Sequence, residues 1–129
     1  MTMLKDNSID FICTHPPYAN IIKYSKNLEN DLSLLDYKDF LLHMDKVSKE
    51  LYRVLKQGHN CSFMIGDIRK NGNVIPLGFN TMQVFLNNGF TLKEIIIKEQ
   101  HNCSSTKYWQ NKIQNLNFYL LAHEYIFDL

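Results

Sequence analysis

Thr14, His15, Pro16, Pro17 and Tyr18 stand in succession at the end of an apolar run, Ile9 to Thr14. Each residue type brings something a bound group could use. A histidine ring accepts a hydrogen bond through one nitrogen only while it is neutral. Prolines lack N–H groups and fix φ, so two in a row stop a strand's ladder and leave rigid carbonyls pointing outward. Tyrosine adds an aromatic face. Such a turn either holds something at the strand end or merely redirects the chain. Asn20, Lys23 and Tyr24 follow closely enough to line the rim of a pocket there.

Three further groups could do chemistry. Asp67, beside Gly66, ends a second apolar run that begins at Cys61. It could orient a bound group or cationic neighbours such as Arg69, and a solvated turn carboxylate fits equally well. The stretch Gln100 to Asn117, "QHNCSSTKYWQNKIQNLN", has neither helical nor strand period. It mixes Lys107 and Lys112 with Tyr108 and Trp109, donors for phosphate and faces for a base, so target recognition and a plain surface loop are both open. His101 and Cys103 alone do not make a zinc site. His123 and Glu124 are adjacent in a strand-like segment, so their side chains point to opposite faces.

The elements that must position these groups alternate in kind. Ile9 to Thr14 reads as a short strand covered on both faces. Tyr37, Phe40, Leu41, Met44, Val47, Leu51 and Leu55 follow helical spacing, with Asp36 as N-cap and Gly58 just past the end. Cys61 to Asp67 is a second buried strand. Pro76 opens another helix with Leu77, Met82, Phe85 and Leu86 facing the core and Gly89 as its stop. Thr91 to Glu99 and Phe118 to Leu129 are the last two strands. Strand, helix, strand, helix, strand predicts an α/β fold with a parallel sheet and right-handed crossovers. The final two strands have no helix between them, so that pair is expected to be antiparallel. In such sheets ligands bind outside the carboxyl ends of the strands, where His15 stands.

Composition narrows the class without naming a partner. A chain of 129 residues with 45% hydrophobic and 21% charged residues is one globular domain's worth, neither disordered nor fibrous. A net charge of +1 neither supports nor excludes nucleic acid. Three cysteines, unpaired in spacing, suit a reduced intracellular protein, with Cys13 and Cys61 acting as small buried hydrophobes. No run approaches the roughly 18 apolar residues of a membrane span, and the N-terminus lacks the order of a signal peptide. The expected location is the cytoplasm.

The motif Thr14-His15-Pro16-Pro17-Tyr18 after an apolar strand resembles that of the S-adenosylmethionine-dependent amino-methyltransferases acting on N6 of adenine or N4 of cytosine in DNA. There the motif is Asp, Asn or Ser, then Pro-Pro, then an aromatic. "LYRVLKQGHN", "SFMIGDIRK", "NNGFTLKEIIIK" and "LAHEYIFDL" resemble later elements of that family in the same order, so the likeness runs from about Leu4 to Leu129. Two features depart from it. His15 replaces a shorter acceptor, and the family's glycine-rich cofactor loop, of the type Phe-x-Gly-x-Gly, occurs nowhere in the chain.

The resemblance implies a partial Rossmann-like methyltransferase sheet of about four strands. Residues 1–129 would form a single domain, the catalytic half, lacking the loop that binds S-adenosylmethionine. His15 and the Pro16 carbonyl would accept from the target amine, Pro17 would rigidify the turn, and Tyr18 would stack on a flipped base. Activity resting on His15 would then decline as acid protonates the ring. Asn20, Lys107, Tyr108 and Trp109 would contact the DNA, and His123 and Glu124 would be structural, securing neighbouring backbone. DNA is the expected partner, together with the missing half or a second copy at the exposed edge of the first strand. The alternatives are an inactive remnant or subunit that binds DNA or a partner, and a methyltransferase acting on RNA or protein.

Overall fold

The computed structural model describes residues 3–18, 36–101, 117 and 119–129. Strand β1 is only Ile12–Thr14, shorter than the apolar run that contains it. Upstream, Ile9 makes an isolated parallel bridge with Leu55. Phe11 is 57% exposed and Cys13 is exposed as well. The expected strand with both faces covered is therefore corrected: β1 lies at an edge of the described sheet, and Cys13 is on its open side. Cys61 does behave as a buried hydrophobe, and burial pushes its thiol up to about 12.

Helix α1, Tyr37–Val54, starts where Asp36 accepts from the backbone N–H groups of Lys38 and Asp39, both at 3.0 Å. That satisfies two donors the first turn would otherwise leave orphaned. Phe40, Met44, Ser48, Leu51 and Val54 are buried at intervals of three or four residues, which puts them on one face. The chain then turns through Gly58, whose φ of 75° suits glycine, into β2, Cys61–Ile65. β2 runs parallel to β1, with Ile12 opposite Cys61 and Thr14 opposite Phe63.

A hairpin that the sequence reading missed follows. β3, Ile68–Lys70, and β4, Asn73–Ile75, pair antiparallel through Asn71 and Gly72, with φ of 51° and 80°. Asn-Gly is a strong sequence signal for a two-residue hairpin, because both central residues need positive φ.

Helix α2, Leu77–Asn87, begins after Pro76, which offers no side-chain cap. Asp67 supplies it from outside the helix: its Oδ1 accepts from Gly78 N–H at 2.9 Å, and its Oδ2 accepts from the Tyr125 hydroxyl at 3.2 Å. Asp67 is thus a capping carboxylate rather than a solvated one, and Arg69 donates to the carbonyls of Gly72 and Tyr119. Past the helix, Asn88 donates to Asp45 Oδ1 at 2.9 Å and to Ser48 Oγ. This bond joins the two helices and accounts for Ser48 being fully buried.

β5, Glu94–Glu99, and β6, His123–Asp128, complete a sheet of order β1-β2-β6-β5. The last two strands are antiparallel as expected. β6 also inserts between β2 and β5 and runs antiparallel to both. That leaves β5 at the other edge, where Ile95, Ile96 and Ile97 are 42%, 51% and 58% exposed.

Phe63 of β2 centres the core, stacked on Phe85 of α2 at 4.5 Å and packed on Phe127 of β6 at 5.2 Å. Phe40 and Met44 of α1 join the same cluster. Ser62, Met64 and Ile126, at the alternate positions, are only half-buried. No described helix covers that second face.

Candidate functional site

Parallel pairing brings the carboxyl ends of β1 and β2 to one edge of the sheet, as the alternation of strands and helices predicts. The turn after β1 therefore sits beside Gly66. Pro16 is buried, Pro17 and Tyr18 are half-buried, and the His15 side chain is 45% exposed. Gly66 makes the approach possible: a Cβ there would lie 2.9 Å from the Tyr18 hydroxyl and 3.4 Å from Glu124 Cγ.

The centre of the site is a residue the motif does not contain. Glu124, in β6, is 4% exposed. Its Oε1 accepts from the Tyr18 hydroxyl at 2.5 Å, a contact across 106 residues of sequence. Its Oε2 accepts from Lys98 Nζ at 2.7 Å, and Lys98 lies opposite it on β5. His15 Nε2 is 3.7 Å from Oε1, with the His15 ring edge-on to Tyr18 at 5.9 Å. Two segments distant in sequence, the turn after β1 and strand β5, thus converge on one carboxylate of β6.

Burial pushes the Glu124 carboxyl upward, but hydrogen bonds from Lys98, Tyr18 and Gln100 outweigh it and hold the pKa at about 2. Burial, then the Glu124 carboxylate, push the Tyr18 hydroxyl above its ordinary range, so it stays a donor. The sign for stability follows from linkage. A carboxyl depressed in the folded state stabilises above its unfolded pKa, and that contribution fades as pH falls toward the folded value. Wild-type protein is expected to lose about 2 kcal/mol more stability between pH 7 and pH 3 than Glu124→Gln. Urea unfolding at both pH values reads this directly, and equal losses would remove Glu124 as the group responsible.

Among the described residues, the side chains of His123 and Glu124 pair with other side chains rather than with the neighbouring backbone expected of them. Glu124 binds side chains of the turn and of β5, while His123 Nε2 lies 3.0 Å from the Tyr125 hydroxyl. The signal was a carboxylate flanked by apolar residues within "FYLLAHEYIFDL", since a buried charge needs partners. Asn20, Lys23, Tyr24, Cys103, Lys107, Tyr108, Trp109 and Lys112 lie outside the described residues.

The described residues do not fit an S-adenosylmethionine pocket. At this edge the oxygens of Asp67 and Glu124 accept from protein donors, and the sequence holds no Phe-x-Gly-x-Gly loop that would cradle the cofactor. A cavity of about 570 Å³ lies among Tyr52, Arg53, Lys56, Gly58, Phe90 and Lys93. Those residues precede β2 and β5 or end α1, so the cavity sits at the opposite end of the strands from His15. Among the described residues no helix is long and apolar enough to cross a membrane.

Comparison with known proteins places the fold and the family. The type II methyltransferase M.MthZI of Methanothermobacter thermautotrophicus is 29% identical over 143 residues, covering 98% of this chain and 40% of that protein. A candidate DNA modification methylase of Thermus thermophilus, TTHA0409, superposes with a TM-score of 0.69 at 25% identity, over 98% of this chain and 46% of that one. The PvuII DNA methyltransferase, cytosine-N4-specific, shares the fold with a TM-score of 0.75 at 17% identity, over 98% of this chain and 44% of that one. This chain therefore spans less than half the length of each. The family model for N6/N4 DNA methylases matches residues 9–127, and with that match over nearly its whole length the chain belongs to the N6/N4 DNA methylase family.

Proposed function

We propose that these 129 residues are the catalytic portion of a DNA amino-methyltransferase whose cofactor-binding portion lies outside them. The observation that carries this reading is the turn from Thr14 to Tyr18. It stands at the carboxyl end of β1, anchored by Glu124 through Tyr18 while His15 keeps an exposed ring.

The exocyclic amine of adenine or cytosine is a poor nucleophile because its lone pair is delocalised into the ring. Acceptors for its two N–H groups pull the nitrogen toward tetrahedral geometry and localise that pair. In this reading the acceptors are the His15 ring and the Pro16 carbonyl, whose direction Pro17 helps to fix. Tyr18, tethered at its hydroxyl, offers its ring to a base flipped out of the duplex. Such stacking contributes roughly 1–3 kcal/mol.

The methyl donor we assign is S-adenosylmethionine. A form of TTHA0409 complexed with it has the same fold as this chain. The open edge of β1, beside exposed Phe11, is where the cofactor-binding portion or a second copy would add to the described sheet.

Calorimetric titration of this chain with S-adenosylmethionine tests the division of labour. No saturable heat is expected from the chain alone. Saturable micromolar binding would put a complete pocket within these residues and end the proposal of a separate cofactor-binding portion.

A further inference from the structure

Glu124 sits under the turn, and its contacts constrain more than Tyr18. An ionised carboxylate only accepts hydrogen bonds. Its Oε2 accepts from Lys98 at 2.7 Å, its Oε1 is shared between the Tyr18 hydroxyl at 2.5 Å and the approach of His15 Nε2 at 3.7 Å, and Gln100 adds a further hydrogen bond to the carboxylate. A neutral imidazole carries its proton on one nitrogen and a lone pair on the other. With Nε2 unprotonated, that lone pair would face the carboxylate, and the two would repel. With the proton on Nε2, the N–H dipole points at the negative charge, and Nδ1 becomes the acceptor.

We infer that Glu124 is a positioning residue for this turn, holding His15 in the tautomer with its proton on Nε2 so that Nδ1 is the nitrogen presented to the target amine. The inference deepens the proposed function and rests on it for the identity of the amine. It gives a physical reason for a histidine where the resembling family has a shorter acceptor. The imidazole can contact the carboxylate on one side and accept on the other, which a short side chain cannot do. The second ring nitrogen's partner decides which nitrogen accepts, the usual way histidine tautomers are set in functional sites. Lys98 is part of the device. By occupying Oε2 it leaves Oε1 as the oxygen toward the turn.

The test reads the tautomer itself. The full chain is labelled with ¹⁵N-histidine, and long-range ¹H–¹⁵N spectra are recorded in buffer alkaline enough to keep the rings neutral. The His15 signals are assigned as those absent from His15→Ala. Wild-type protein is expected to hold most of His15 with the proton on Nε2. In Glu124→Gln, Lys98 can only donate and so keeps the amide oxygen, which turns the amide NH₂ toward Tyr18 and His15. His15 is then expected to switch to mostly Nδ1–H. The same tautomer in both proteins would overturn the inference. If Glu124→Gln does not fold, Tyr18→Phe decides. It removes the competing donor on Oε1, so the Nε2–H fraction should hold or rise, and a fall would overturn the inference.

The outcomes separate this inference from the reading beneath it. A tautomer switch in Glu124→Gln, combined with full methyl transfer by His15→Ala in the assembled enzyme, would leave the positioning intact and remove His15 from catalysis. An unresponsive tautomer combined with loss of transfer in His15→Ala would do the reverse.

Discussion

His15→Ala, in an enzyme assembled from this chain and a cofactor-binding portion, is expected to lower methyl transfer to DNA by on the order of a hundredfold. That is the usual loss when one preorganised group facing the reacting atom is removed. Two observations make the prediction specific. The His15 side chain is 45% exposed and lies outside the core cluster, so alanine should leave the fold and its unfolding midpoint nearly unchanged. The effect should also appear in kcat more than in KM, because an acceptor that localises a lone pair acts most strongly as the amine reacts. Steady-state assays on duplex DNA, with urea unfolding of the same variant alongside, measure both. Unchanged kcat in a folded variant would remove His15 from the chemistry.

The largest stability effect is expected in the core beneath the same strand system. Phe63→Ala should destabilise the chain by about 3–5 kcal/mol, the range for losing a buried aromatic and leaving its cavity. Phe63 is fully buried and in ring contact with both Phe85 and Phe127, so the hole would open between α2 and the two central strands. Little room for collapse exists there, because Leu77, Ile65 and Phe85 are also fully buried. A loss that large is a big part of the roughly 5–15 kcal/mol that keeps most domains folded. Chemical denaturation gives the number. A cost under about 1 kcal/mol would mean that the site collapses and that Phe63 is not the centre of the core.

The two predictions probe linked parts of one design. β2 carries Phe63 into the core and ends next to Gly66, whose missing side chain gives Tyr18 its place against Glu124. The core thereby sets where the turn after β1 can rest. β5 and β6 contribute through the cross-strand pair of Lys98 with Glu124. An apolar substitution at Lys98 would leave Glu124 with fewer donors, although its bond from Tyr18 would remain.

Local pattern determined much of this protein. The capped start of α1 at Asp36, the stop of α2 at Gly89, the buried alternation of β2 and the turn at Pro16 and Pro17 all follow from side-chain shape, hydrogen-bonding groups and φ preference within a few residues. The order of motif and elements was enough to suggest the family as well. Even the hairpin at Asn71 and Gly72 was encoded locally, in the pair of residues that tolerate positive φ.

Tertiary structure alone decided what depended on partners far apart in sequence. Three successive isoleucines read as a strand whatever their place in a sheet; the insertion of β6 between β2 and β5 is what left them at an exposed edge. Cys13 looked buried because its neighbours are apolar, yet burial requires a second layer, and no described helix supplies one on that face. Asp67 and Glu124 each looked like one of several polar residues near a strand. Their roles emerged when folding brought Gly78 and Tyr125 to the first, and Tyr18, Lys98 and His15 to the second. A carboxylate's function is set by the donors around it, and those donors came from elements that only the folded sheet makes neighbours.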